Sequence, residues 1–233
     1  STPNIHHPTP ITLSPPMLLH NQTQAIQRMN TLAKEGKDFF FIINYRADSA
    51  YIEEFTNIDP RELLFSFPTL SNIPEAESYS NEAVEWHTEP PTREDYEHRI
   101  NLVKQREREG DSYLANLTCK IPIRTNLSLH DIFMRSKALY RCWMKEKFVC
   151  FSPEIFVRIN REGLISSFPM KGTIDATRPD AEKELMENKK EAAEHATIVD
   201  LIRNDLSMIA EKVQVKRYRY VDHLTTNKGE ILQ

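Results

Sequence analysis

FVCFSPEIFVRINREGLISSFPMKGTIDA, residues 148–176, holds the pattern on which the fold turns. Apolar runs at 148–152 and 155–159, the turn-forming NREG at 160–163 and a second apolar run at 164–168 read as a β-hairpin. If Ile159 faces Leu164, then Glu154 faces Pro169 and Ser152 faces Lys171. Lys171 and Glu154 become diagonal neighbours on one face, with backbones roughly 7–8 Å apart. Lysine is a poor turn former, whereas Gly172 beside it is where the chain turns freely. Lys171 is therefore singled out for its amine.

A lysine amine attacks as a nucleophile only when neutral, against a solution pKa of about 10.4, so desolvation or nearby cations must depress it. A glutamate within reach of the reacting group serves as general acid or base. The plainer alternative is a surface ion pair worth about 0–1 kcal/mol, and pattern alone leaves both open.

Outward from the hairpin, Asp180 to about Ala210 reads as a helical stretch broken once. In its second part, KEAAEHATIVDLIRNDL, the residues Glu194, Ile198, Leu201 and Asp205 share a helical face. Glu194 and Asp205 lie about 16 Å apart along that axis and cannot hold one ion together. Glu194 alone offers a hard oxygen ligand of the kind Mg²⁺ uses, although a glutamate in so charged a helix is more often simply solvated. VQVKRYRYV at 213–221 reads as a strand leading to His223, which in such a place is usually a core or rim residue.

Toward the N-terminus, Ile26, Met29 and Leu32 mark one face of a helix over 22–36, and FFFIINY reads as a buried strand. Residues 46–85 give only weak strand signals. Thr92, with Asp95 three residues on, starts a helix that Gly110 ends. SYLANLTCKIPI then reads as strand and LHDIFMRSKALYRCW as helix. Residues 1–21 are expected to form a flexible, proline-rich tail without the pattern of a secretory signal, and 22–233 the folded domain.

Composition is that of a globular chain: 233 residues, 39% hydrophobic and 27% charged, with a net charge of −4. No basic surplus points to nucleic acid, and no apolar run approaches the roughly 18 residues of a membrane helix. Cys119, Cys142 and Cys150 are odd in number and lack CxxC spacing, which argues against a disulfide framework or structural zinc and for a reduced cytoplasm. The eight histidines show no metal-binding spacing.

GDSYLANLT (110–118), FVCFSPEIF (148–156), FPMKGTIDA (168–176), AAEHATIVDLIRNDL (192–206) and VDHLTT (221–226), in that order and spacing, resemble the chorismate-utilising enzymes. The resemblance runs from about Phe39 onward and implies an α+β fold, part of the anthranilate synthase component I-like architecture of two packed β-sheets with outer helices. Within the family, PMKGT resembles the PIKGT of aminodeoxychorismate synthase component I, whereas anthranilate synthases carry alanine at the lysine position. ELLFSFP (62–68) is only a faint echo of the LLES segment tied to tryptophan feedback.

The resemblance implies conversion of chorismate and ammonia to 4-amino-4-deoxychorismate, in the para-aminobenzoate branch leading to folate. It implies that Lys171 attacks C2 of chorismate, that Glu154 is the general acid/base, and that Glu194 ligates Mg²⁺. It also implies that Gly172, Thr173 and His223 contact substrate and that ammonia comes from a glutamine amidotransferase partner. The family's later segments, with a second magnesium carboxylate and a carboxylate-binding arginine, have no counterpart here, so the chain by itself is expected to be a truncated, inactive domain. The alternatives are anthranilate or isochorismate synthesis, or a non-catalytic fragment that only binds a partner chain.

Overall fold

The structure is a computed structural model and describes residues 17–75, 79, 82–113 and 115–233. The chain divides into two compact units, Ser78–Arg135 and the remainder. In chain order the first unit begins with β1 (Leu19–Asn21), α1 (Gln22–Lys34), β2 (Phe39–Ile43), β3 (Ser49–Glu54), β4 (Leu63–Phe67) and β5 (Leu70–Ser71). The second unit contributes β6 (Trp86–Thr88), α2 (Arg93–Glu109), β7 (Ile123–Thr125) and α3 (Leu129–Arg135). The first unit resumes with β8 (Tyr140–Met144), β9 (Phe148–Ser152), β10 (Arg158–Ile159), β11 (Ile165–Ser166) and β12 (Ile174–Asp175). It closes with α4 (Ala181–Glu187), α5 (Lys189–Ser207), β13 (His223–Thr226) and β14 (Gly229–Leu232).

Two sheets, ordered β1-β3-β2 and β5-β4-β8-β9, pack on each other. Side chains alternate across each strand, so Leu63 and Phe65 of β4 and Cys142 and Met144 of β8 point to one face and are buried there. Phe40, Ile42 and Tyr51 of the facing sheet cover them, and Phe40 stacks on Phe65 with ring centroids 4.6 Å apart. On the outer side of the first sheet, α1 lays Ala25 and Leu32 over Ala50 and Ile52. This is the expected α+β arrangement of packed sheets with an outer helix. Burying one such side chain completely contributes about 1.5–3 kcal/mol.

The edge of β4 beyond the short β5 is closed by Asn72. Its side-chain carbonyl accepts the Phe65 N–H at 2.8 Å and its amide donates to the Leu63 carbonyl at 2.8 Å, imitating the ladder bonds of a further strand. A third sheet, ordered β12-β14-β13, packs Ile174 and Leu232 against Ala181 and Leu185 of α4.

Several local expectations change. Leu19–Asn21, read as tail, is a strand paired with β3, while 1–16 lie outside the described residues. In α1 the inward stripe is Ala25, Met29 and Leu32, and Ile26 is exposed. In β2 only one side is fully lined by the core, since Phe41 and Ile43 are about half exposed. Of the described residues in SYLANLTCKIPI only Ile123 is strand, because the partner, β6, pairs from that residue on. The helix at 129 stops at Arg135, and Tyr140–Met144, whose apolar residues also fit a helical face, is captured as strand by the ladder with β4. VQVKRYRYV is not strand, and Arg219, third from its end, adopts φ 48°, outside any strand geometry.

The hairpin forms with a different register. Arg158 pairs with Ser166 and Ile159 with Ile165, one residue beyond the expected facing. Gly163, at φ 78°, donates to the Asn160 carbonyl, and the Asn160 N–H donates to the Leu164 carbonyl around a three-residue loop. A left-handed residue in such a loop inserts one extra position, and a shift of one residue exchanges the faces of the strand.

Replacing Asn72 with alanine is expected to leave the Phe65 N–H and the Leu63 carbonyl unpaired in the protein's interior. At about 1–3 kcal/mol per buried orphan group, urea denaturation of Asn72→Ala should show a loss of that order. A midpoint equal to the parent's would show that the side chain does not replace a strand.

Candidate functional site

A cavity of about 340 Å³ opens where the loops after β9 and β11, helices α4 and α5, and the approach to β13 converge. Lys171, Glu154 and His223 all line it. The sequence reading brought Lys171 to Glu154 through a ladder that does not extend that far. Here both arrive on loops, and the contact that ties them is the Met170 N–H, which donates to the Glu154 carboxylate. Ser152, expected opposite Lys171, instead donates its hydroxyl to the Glu154 carbonyl at 2.7 Å and shapes the loop that presents this glutamate.

Burial raises the Glu154 carboxyl above the ordinary carboxylate range, and the Met170 N–H and the positive charge of Lys171 only partly offset it. A carboxyl so held retains a proton to higher pH than a solvated one, which suits an acid that must donate it.

Gly172 does not line the cavity but makes it possible. It adopts φ 81°, and a Cβ there would stand 2.8 Å from Leu185 Cδ1 and 3.2 Å from Glu191 Oε2. Only glycine lets the Lys171 loop pass this close to the helices. Thr173 is exposed and does not line the cavity.

Helix α5 begins at Asn188, whose side chain accepts the Lys190 and Glu191 N–H groups. Its partly buried stripe runs through Glu191, His195, Ile198, Ile202 and Leu206, while Leu201 and Asp205 face outward, so the face expected from Glu194 to Asp205 is not the inward one. Glu191 and His195 line the cavity. Glu194 sits just off that edge, paired with Lys190 at 2.9 Å. That ion pair holds its carboxyl below the ordinary range, with Lys171 adding to the effect, so Glu194 is a carboxylate at neutral pH. Glu191 and Glu194, one helical turn apart, suit a hard cation that draws most of its ligands from water and substrate. Among the described residues no group of three or more His, Cys, Asp or Glu side chains forms a ready metal cage.

Arg158, Arg219 and His195 also line the cavity and were not singled out in the sequence. Arg158 lies over the Phe168 ring at 5.6 Å, and Arg219 donates to the Leu185 carbonyl at 3.3 Å. Burial, with Arg219 close by, lowers the pKa of His195 and favours its neutral form. Glu191 and His195 stand one turn apart, so helical spacing counted from Glu191 would have found both. Nothing in the spacing of Arg158 or Arg219 marks either one.

The chain belongs to the chorismate binding enzyme family, whose model matches residues 40–227. It is 40% identical over 208 residues to an uncharacterized PabA-like protein of Pasteurella multocida, covering 89% of this chain and 64% of that one. An uncharacterized PabA-like protein of Haemophilus influenzae is 41% identical over 213 residues, covering 89% and 62%. Aminodeoxychorismate synthase component 1 of Bacillus subtilis is 26% identical over 164 residues, covering 61% and 34%. The chain thus spans less than two thirds of the length of each of these relatives. No solved structure matches it significantly.

Two consequences are measurable. Gly172→Ala should cost about 1–3 kcal/mol through backbone strain and contact with Leu185, and a chemical-denaturation midpoint within error of the parent would refute the close passage. For Glu154, the folded state binds its proton more tightly than the unfolded chain does. Its contribution to stability is therefore lost as pH rises from about 4.3 through the raised folded value. Thermal melts between about pH 4 and pH 8 should show a slightly flatter decline for Glu154→Gln than for the parent, and parallel curves would contradict the partial desolvation of the carboxyl on this otherwise exposed residue.

Proposed function

We propose that this chain carries the chorismate site of an aminodeoxychorismate synthase component I, which makes 4-amino-4-deoxychorismate from chorismate and ammonia for para-aminobenzoate and folate synthesis. The observation that carries this reading is the meeting of the Lys171 amine and the Glu154 carboxyl, its pKa raised by burial, in one cavity. In the family motif, the lysine in PMKGT favours amination at C4 over the ortho chemistry of anthranilate synthases.

The Lys171 amine adds to C2 of chorismate, both conjugated ring double bonds shift by one position toward C4, and the C4 hydroxyl leaves as water with the proton that Glu154 donates. Ammonia then adds at C4, both double bonds return to their original positions, and the lysine leaves C2 with its bonding pair. Tethering the first amine replaces a bimolecular attack and fixes which carbon receives ammonia. His223 borders the bound ring, and Gly172 lets the nucleophile's loop close on α4 and α5. Glu194, with Glu191 beside it, would hold Mg²⁺, which supplies positive charge for the ring carboxylate. Ammonia comes from a glutamine amidotransferase partner, and the cytoplasm, where free thiols such as these are ordinarily kept reduced, is the compartment this reading assigns.

Incubation with chorismate, Mg²⁺ and ammonium, followed by liquid chromatography and mass spectrometry, tests the reading. Because the chain by itself is expected to be inactive, the family's later segments are supplied in trans; aminodeoxychorismate is then expected from the parent and should fall at least about 100-fold in Lys171→Ala. Anthranilate or isochorismate as the parent's product, or unchanged aminodeoxychorismate from the variant, would overturn it.

A further inference from the structure

We propose that Cys142 and Cys150 form a peroxide-sensitive thiol pair that closes to a cross-strand disulfide at the edge of the central sheet. The two residues face each other directly in the β8–β9 ladder, and both are free thiols. Directly opposed residues in an antiparallel pair have Cα atoms about 4.5–5.5 Å apart, inside the roughly 4.4–6.8 Å that a disulfide spans. The register thus puts the pair within the Cα separation that a disulfide spans.

Their environments divide the labour. Strand β9 is the outer strand of the β5-β4-β8-β9 sheet, and Cys150 is exposed there. Cys142 is 7% exposed and belongs to the core with Leu63 and Phe65. The Cys142 thiol and its backbone N–H both donate toward the Cys150 sulfur, which lowers the Cys150 pKa to about 7 against the opposing effect of burial. The same hydrogen bond, with burial, pushes Cys142 up and keeps it a thiol. An exposed sulfur with substantial thiolate character beside a protonated, sheltered one is the arrangement of an attacking and a resolving cysteine.

The chemistry balances with a hydroperoxide as oxidant. The Cys150 thiolate attacks one peroxide oxygen and the O–O bond breaks. The departing hydroxide takes a proton to become water, and Cys150 is left as a sulfenic acid. The Cys142 sulfur then attacks the sulfenic sulfur, the S–S bond forms, and the sulfenic hydroxyl leaves as water with the Cys142 proton. Two thiols and one hydrogen peroxide give one disulfide and two waters, and a dithiol reductant reverses the step.

The test treats the whole chain with hydrogen peroxide, traps remaining thiols with N-ethylmaleimide in denaturant, and digests it with trypsin without reductant. Mass spectrometry should recover CWMK (142–145) linked to FVCFSPEIFVR (148–158), with Cys119 alkylated and the linked pair split by dithiothreitol. In Cys142→Ser, Cys150 should instead accumulate as sulfinic acid. Cys150→Ser alters only an exposed side chain, so it remains informative if the core variant misfolds, and in it Cys142 should stay alkylatable after peroxide. Cys142 and Cys150 both alkylated in the treated parent, a bridge to Cys119 or to a second chain, or equal sulfinic acid in parent and Cys142→Ser would each overturn the proposal.

Discussion

The antiparallel pairing of β8 with β4 on one side and β9 on the other is the constraint on which the first unit depends. On the β4 side it completes the buried face of Leu63, Phe65, Cys142 and Met144, against which the first sheet is packed. On the β9 side it fixes where the chain leaves the sheet. Ser152 is the last residue of that ladder, and Glu154 follows two positions later, so the depth at which this carboxyl enters the cavity is set by pairing in the core. The same register brings Cys142 and Cys150 together. The sheet's stability, the glutamate's position and the thiol pair therefore share one physical cause.

The cavity is built from loops and helix ends, and each is held by a local device. The Asn160–Leu164 loop has an extra, left-handed residue in Gly163, which shifts the hairpin register. Gly172 lets the loop that carries Lys171 lie against Leu185 and Glu191, where any side chain would collide. Asn188 starts α5 so that Glu191 and His195 face the opening. Three basic side chains, Lys171, Arg158 and Arg219, are thereby set around carboxyl groups in one small volume. A cavity lined by basic and carboxyl groups has the charge to hold a small anionic ligand, and the chain is a member of the chorismate binding enzyme family.

What could be read locally was read correctly where local chemistry decides. Thr92 caps α2 through the Asp95 N–H, Gly110 ends it in the left-handed region, and the long helical stretch breaks once, at Asn188. Where partners decide, the local signal misled. LLFSF (63–67) gave only a weak signal, yet it is the most deeply buried strand. LYRCWM satisfied a helical pattern as well as a strand pattern, and the ladder with β4 chose between them. The stripe of α5 that turns inward follows from what α5 packs against, and helical spacing alone allows more than one such stripe.

By itself the sequence determined the family, the α+β class, the start and stop of α2 and the break between α4 and α5, because motifs, caps and turn formers act over a few residues. Only the tertiary structure decided that Lys171 and Glu154 share a cavity with Arg158, Arg219, Glu191 and His195, that Thr173 stays outside it, and that Cys142 faces Cys150. Those facts depend on strand register and on close approach between segments distant along the chain. A single inserted turn residue is enough to exchange the faces of a strand, and no pattern within either strand records that choice.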